Sequence, residues 1–200
     1  MNEMHLVMHG LAIKKHASPE DVAGILGLDG EDVRETLAKL VTAKRAVEVK
    51  GRYMLAPAAR MLLDADYSRY YEAERANPAF QAGYTGFERL NVVLKQLITD
   101  WQTVPVRGER VPNDHSDKDY DSKIIDRLGD LHERVEPVVN QLASALPRMA
   151  IYGEKLGAAL EKAEAGAVAW VSDAKIESYH TIWFELHEDL LRLMRRERTE

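Results

Sequence analysis

The chain is predicted to be mainly α: a winged helix-turn-helix with a short β-hairpin wing, followed by an all-α helical bundle. Three observations predict this. Residues 4–60 hold a capped short helix, a glycine turn and a longer helix; two alternating runs flank Lys50-Gly51; and residues 57–200 show helical periodicity with almost no strand signal. The implied division is a winged-helix domain over residues 1–60 and a helical ligand-binding and dimerisation domain over 61–200.

Leu6, Val7, Leu11 and Ile13 mark a first helical stretch that stops near His16. Ser18-Pro19-Glu20-Asp21 then supplies an N-cap, a proline at the first helical position and an acidic third residue, which together satisfy the orphan amides of a helix start. The short second helix carries Val22, Ala23, Ile25 and Leu26, and Gly27 to Gly30 make the turn. Asp29 caps a third helix, with Asp32 three places on and a core stripe of Val33, Leu37, Leu40 and Val41. Val47-Glu48-Val49 and Arg52-Tyr53-Met54-Leu55 are two short strands around a tight turn, the wing, and Pro57 opens the next helix.

This first third of the chain resembles the DNA-binding domain of winged-helix transcriptional regulators of the MarR (multiple-antibiotic-resistance) type. The resemblance implies DNA contact through Arg34, Lys39, Lys50 and Arg52, and a homodimer reading a pseudo-palindrome through helices at 57–76 and 178–198. Charge argues the other way. The third helix begins with Glu31, Asp32, Arg34 and Glu35, three carboxylates against one guanidinium where DNA phosphates would approach. Residues 1–65 hold nine basic and nine acidic residues, so the module lacks the positive face of a typical DNA footprint. DNA binding and protein docking both remain open for the winged helix.

Composition narrows the classes further. The net charge of −6 falls entirely after residue 65, which opposes nonspecific nucleic-acid or anionic-membrane binding by the C-terminal region. The absence of cysteine excludes disulfides, thiolate nucleophiles and cysteine-ligated metals. No apolar run approaches the ~18 residues of a membrane span, so a cytoplasmic protein without membrane contact is expected.

Over residues 57–200 five helices are expected, at about 57–76, 78–102, 117–146, 149–165 and 178–198, with the segment Trp101 to Asp121 as a loop. Phe80, Tyr84, Phe87, Leu90, Leu94, Ile98 and Trp101 form the stripe of the second of these. Asn91 falls inside that stripe, where a buried amide either pins helix packing or addresses a ligand. At 100° per residue the last helix places His180 and His187 on the apolar arc beside Trp183 and Phe184, with Thr181, Glu185, Glu188, Asp189 and Arg192 on the remainder. These histidines are core residues or ligand contacts. A shared metal is excluded, because i and i+7 lie ~10 Å apart along the axis.

The loop ends in Asn113, Asp114, His115, Ser116, Asp117, Asp119 and Asp121, a set suited either to a hard cation or to capping the next helix. A calcium-loop match fails, since Ser122 stands where glycine is needed and Leu128 where a bidentate glutamate is needed. No metal and no cofactor are assigned. Asn91, Trp101, His115, Tyr179, His180, Trp183 and His187 are the candidate lining of a pocket for a small organic ligand.

The strings VPNDHSDKDYD and SYHTIWFELHEDLL, with TDWQ upstream, resemble a C-terminal module of actinobacterial proteins that carry a phosphoenolpyruvate-utilising phosphohistidine domain. The resemblance implies context rather than catalytic residues, because this chain has neither the swivelling phosphohistidine domain nor a glycine-rich nucleotide loop. The leading expectation is a ligand-responsive winged-helix DNA-binding transcriptional regulator, in which the helical domain binds a small organic molecule; the alternative is an accessory specificity module that contacts a phosphotransferase component. An enzyme using a histidine and a carboxylate as acid and base lacks a visible nucleophile or cofactor loop.

Overall fold

The computed structural model describes residues 3–198; the outermost residues of the two expected domains, 1–2 and 199–200, lie outside them. The molecule is mainly helical with short β-hairpins, and it divides into two compact units: residues 1–77 with 185–200, and residues 78–184.

In the first unit α1 (Glu3–Lys14), α2 (Pro19–Leu26) and α3 (Gly30–Thr42) precede strands β1 (Ala46–Val49) and β2 (Arg52–Leu55). The capping box forms as the sequence suggests: Ser18 N–H donates to Asp21 Oδ2 at 2.9 Å and Asp21 N–H to Ser18 Oγ at 3.1 Å. Asp29 caps α3 by accepting from Glu31 N–H and Asp32 N–H. At Gly10 an added Cβ would sit 3.0 Å from Val22 Cγ1 and Leu26 Cδ1, so glycine lets α1 and α2 approach. The wing is an antiparallel pair in the register Ala46↔Leu55, turned by Lys50 (φ 54°) and Gly51 (φ 76°). Both turn residues are left-handed, as a two-residue hairpin with the strands' own twist requires. Ala17 adds a bridge to Tyr53 through paired backbone hydrogen bonds of 3.0 and 2.7 Å.

α4 (Pro57–Tyr70) buries Ala59, Leu63 and Tyr67 in this unit, and α5 (Glu72–Ala76) follows. The single helix expected at 57–76 therefore breaks at Tyr71, which turns its ring wholly inward. Arg75 then serves carbonyls of the last turns of two helices, donating to Tyr67 O, Ser68 O and Leu193 O at 2.7, 2.6 and 2.9 Å. The division thus falls after Asn77 rather than at residue 60, because α4 belongs with the core of the winged helix.

The second unit is built on α6 (Pro78–Gln102) and α7 (Lys118–Ala145). The end of α6 meets the start of α7, with Arg127 on Asp100 at 2.9 Å, while Gly83 near its beginning meets Leu142; the two helices run antiparallel. Pro137 lies inside α7 without ending it. After a 3-10 turn at Pro147–Met149 come α8 (Ala150–Glu164), α9 (Ala169–Ser172) and the first turns of α10 (Tyr179–Met194), whose residues from Glu185 belong to the first unit.

Two expectations are corrected here. The segment 101–121, expected as a loop, holds a hairpin, β3 (Thr103–Val106) with β4 (Glu109–Pro112), turned at Arg107-Gly108. Its prolines conceal the strands in sequence, yet a two-stranded ribbon has an open edge on each strand where a missing N–H removes no ladder bond. The face of α10 read as polar is also buried: Glu185 and Asp189 are 6% and 0% exposed. They pack there because α1 offers complementary groups, Lys14 to Glu185 at 2.8 Å and His9 to Asp189 at 3.0 Å.

Candidate functional site

The face made by α3 and the wing is electrostatically occupied by its own side chains. Arg34 donates to Glu20 Oε1 at 2.6 Å and also bonds Glu31, which is the largest cause of its raised pKa. Lys39 lies 2.8 Å from Glu35 and holds that carboxyl below its ordinary range. Arg52 donates to His16 O at 2.8 Å and sits 3.2 Å from Asp21 Oδ2. Three of the four expected DNA contacts therefore carry acceptors within the chain. Lys50 stands exposed at the wing turn, where Gly51 N–H donates to Glu48 at 2.5 Å. Val41, Val47 and Val49 are exposed on α3 and β1.

The seven residues expected to line one pocket fall into separate places. Trp183 Nε1–H donates to Asn91 Oδ1 at 3.0 Å, and the indole stacks on Phe87 with centroids 4.7 Å apart. Trp183 and Tyr179 are both buried, so Asn91 here pins the packing of α6 against the start of α10. Trp101 and His115 lie at the base of the second hairpin, their rings 4.5 Å apart. There the buried Asp121 accepts from Asn113 Nδ2 at 2.9 Å and lies 3.1 Å from His115 Nδ1. Asp117 caps α7 by accepting from Tyr120 N–H at 3.0 Å. The polar loop end thus serves local hydrogen bonding, and among the described residues no three His, Asp or Glu side chains are placed to hold a metal ion. His187 belongs to the other unit, where Arg198 Nη1 approaches its Nδ1 at 3.2 Å. His180 is half-buried, and desolvation holds its pKa below the ordinary value.

In the second unit an open cleft of about 470 Å³ separates His132, Glu136 and Asn140 on α7 from Gly153 and Gly157 on α8. Burial holds the His132 imidazole below its ordinary pKa against the opposing pull of Glu136 and Glu164. The buried Tyr179 hydroxyl, pushed up by desolvation, keeps its proton and approaches His132 Nδ1 at 3.3 Å. A neutral imidazole so placed can exchange a hydrogen bond with a bound group.

Sequence reasoning missed a buried polar relay in the first unit. His9 is wholly buried, with Nδ1 2.6 Å from Tyr67 Oη and Nε2 3.0 Å from the equally buried Asp189. His5, one turn earlier and 2% exposed, packs on the rings of Tyr67, Tyr70 and Tyr71. The signal was two histidines at i and i+4 inside an apolar run, a spacing that puts both on one helix face.

No helix among the described residues is long and apolar enough to cross a membrane. No family model matches the chain, and neither a curated protein nor a solved structure matches it.

Proposed function

We propose that the chain is a cytoplasmic winged-helix accessory protein that docks a partner protein, as the specificity module of a phosphoenolpyruvate-utilising phosphotransferase system. The observation that supports this most is the start of α3, where Glu31, Asp32 and Glu35 are exposed and the one guanidinium is held between Glu20 and Glu31. A groove of DNA phosphates would meet net negative charge there, and freeing Arg34 would first break two ion pairs. A partner's basic patch would meet the same surface with complementary charge, beside the exposed Val41, Val47 and Val49. The test is affinity purification from native lysate after nuclease treatment, read by mass spectrometry. A phosphohistidine-domain protein is expected with the wild type and lost with Glu31→Lys/Glu35→Lys; recovery of DNA-dependent partners alone would oppose the proposal.

A second reading, the ligand-responsive DNA-binding regulator, draws on the wing, where Lys50 is exposed at a turn suited to a phosphate contact. In either reading the protein is a homodimer through α4. Ala58, Met61, Leu62 and Ala65 recur there at helical spacing, and Met61 and Leu62 are 75% and 51% exposed. The other helix expected at the dimer surface, α10, is largely buried within its own chain.

A further inference from the structure

The cleft between α7 and α8 in the second unit carries only negative charge. α7 gives it His132, Glu136 and Asn140; α8 gives it Glu154 and Glu161 with Ala150, Gly153, Gly157 and Ala158, so no lysine or arginine among the described residues lines it. The two lysines of α8 are engaged elsewhere, Lys155 with Glu177 at 2.8 Å and Lys162 over the Trp170 ring at 3.6 Å. Burial holds the His132 imidazole below its ordinary pKa, so near neutral pH it adds no cation to offset the three carboxylates.

Carboxylates on exposed helix faces are ordinary, and two observations set these apart. Gly153 and Gly157 stand inside α8, where helix propensity favours alanine. The nearest atoms to a Cβ at these positions would be Val139 Cγ1 at 3.5 Å and His132 Nε2 at 3.7 Å, ordinary contact distances, whereas a Cβ at Gly83 would press on Leu142 at 2.9 Å. Packing therefore demands glycine in α6 and not in α8, and the space left by the two missing methyls is the floor of the cleft. Second, His132 spends Nδ1 on the buried Tyr179 hydroxyl at 3.3 Å, and its Nε2 opens toward Gly157 across that floor.

We propose that this cleft binds a linear aliphatic polyamine. Glu154 and Glu161 lie two turns apart on α8, ~10 Å along its axis, the span of an extended triamine such as spermidine. A terminal ammonium meets each of them, the methylenes cross Gly157 in front of the imidazole, and Glu136 takes the inner ammonium from the α7 side. The volume of about 470 Å³ suits a small molecule. A shorter diamine leaves one of the two α8 carboxylates unmet, and among the described residues no three acidic or histidine side chains are placed to hold a metal ion. The site is independent of partner docking, which uses α3 and the wing of the first unit.

Isothermal titration of the full chain with spermidine at about 150 mM salt, where exposed charges are largely screened, tests this, with putrescine and magnesium chloride as controls. Spermidine is expected to bind at least about tenfold tighter than either, the scale of one charge-assisted contact. Gly157→Ala, which covers His132 Nε2 with a methyl, and Glu161→Gln are each expected to weaken spermidine at least about tenfold while circular dichroism stays unchanged. Glu133→Gln, exposed on α7 outside the cleft, removes the same charge and is expected to leave the affinity as it is. The proposal is overturned if spermidine does not saturate by about 10 mM, if putrescine or magnesium matches it, if Gly157→Ala keeps the wild-type affinity, or if Glu133→Gln weakens binding as much as Glu161→Gln.

Discussion

Replacing Asp189 by alanine tests what ties α10 to the winged helix. Tyr67, pushed above its ordinary pKa chiefly by burial, keeps its proton and donates to His9 Nδ1 at 2.6 Å, so His9 presents Nε2–H to Asp189 at 3.0 Å. Both His9 and Asp189 are 0% exposed, so water cannot replace a lost partner. Removing the carboxylate strands the buried Nε2–H of the neutral imidazole and costs about 1.5–3 kcal/mol, the scale of a hydrogen bond to a charged group. Asp189→Asn keeps an acceptor oxygen, and its cost falls to about 1 kcal/mol. With a urea slope of about 1–3 kcal/mol/M, the alanine variant should lower the unfolding midpoint by about 0.5 M or more, followed by far-UV circular dichroism. Adding His9→Ala should cost less in that background than alone, with a coupling of about 0.5–3 kcal/mol. An Asp189→Ala protein within about 1 kcal/mol of wild type, or strict additivity, would refute the relay as the tie.

Asn91→Leu strands Trp183 Nε1–H and should destabilise the second unit by about 1–3 kcal/mol; an unchanged urea midpoint would show that Asn91 is not a packing pin. Burial holds His132 and His180 below 6.5, so the unfolded chain binds more protons than the native one near that pH. Their contribution is present above about pH 6.5 and is lost as pH falls toward the native pKa values. Trp101, Trp170 and Trp183 all lie in the second unit, so tryptophan fluorescence should report a falling urea midpoint between about pH 7.5 and 5, flattened in His132→Gln/His180→Gln. A slope of opposite sign would contradict this. Light scattering should find a dimer that Met61→Glu converts to a monomer; a monomeric wild type at micromolar concentration would remove α4 as an interface.

The winged helix was legible because its signals are local. The capping box at Ser18, the cap at Asp29 and the Lys50-Gly51 turn each depend on residues within four places of one another, and each forms as read. The buried relay was not, because Asp189 looks like a surface residue until α1 brings His9 to it from 180 positions away. The second hairpin was hidden by Pro105 and Pro112, whose penalty applies inside a sheet and not on an open ribbon. Asn91 and Trp183 were placed on apolar faces from periodicity, but their mutual hydrogen bond is a tertiary fact. The same limit scattered the expected pocket: helical projection assigns a face and cannot say which faces meet. Arg34 and Arg52 were legible as exposed cations, while their carboxylate partners, Glu20 and Asp21, come from a neighbouring element.

The central claim, that α3 and the wing meet protein rather than DNA, is tested most directly by anisotropy titration of a labelled duplex from the chain's own locus at physiological salt, about 150 mM. The account predicts binding no tighter than the nonspecific range of about 10⁻⁴–10⁻⁶ M, equal for unrelated sequence, and unchanged by Arg34→Ala because that guanidinium is already committed to Glu20 and Glu31. Glu31→Gln/Glu35→Gln should then strengthen binding to any sequence by removing the repulsion. Nanomolar affinity for the locus over unrelated DNA, lost on Arg34→Ala, would contradict the account and establish the regulator reading in its place.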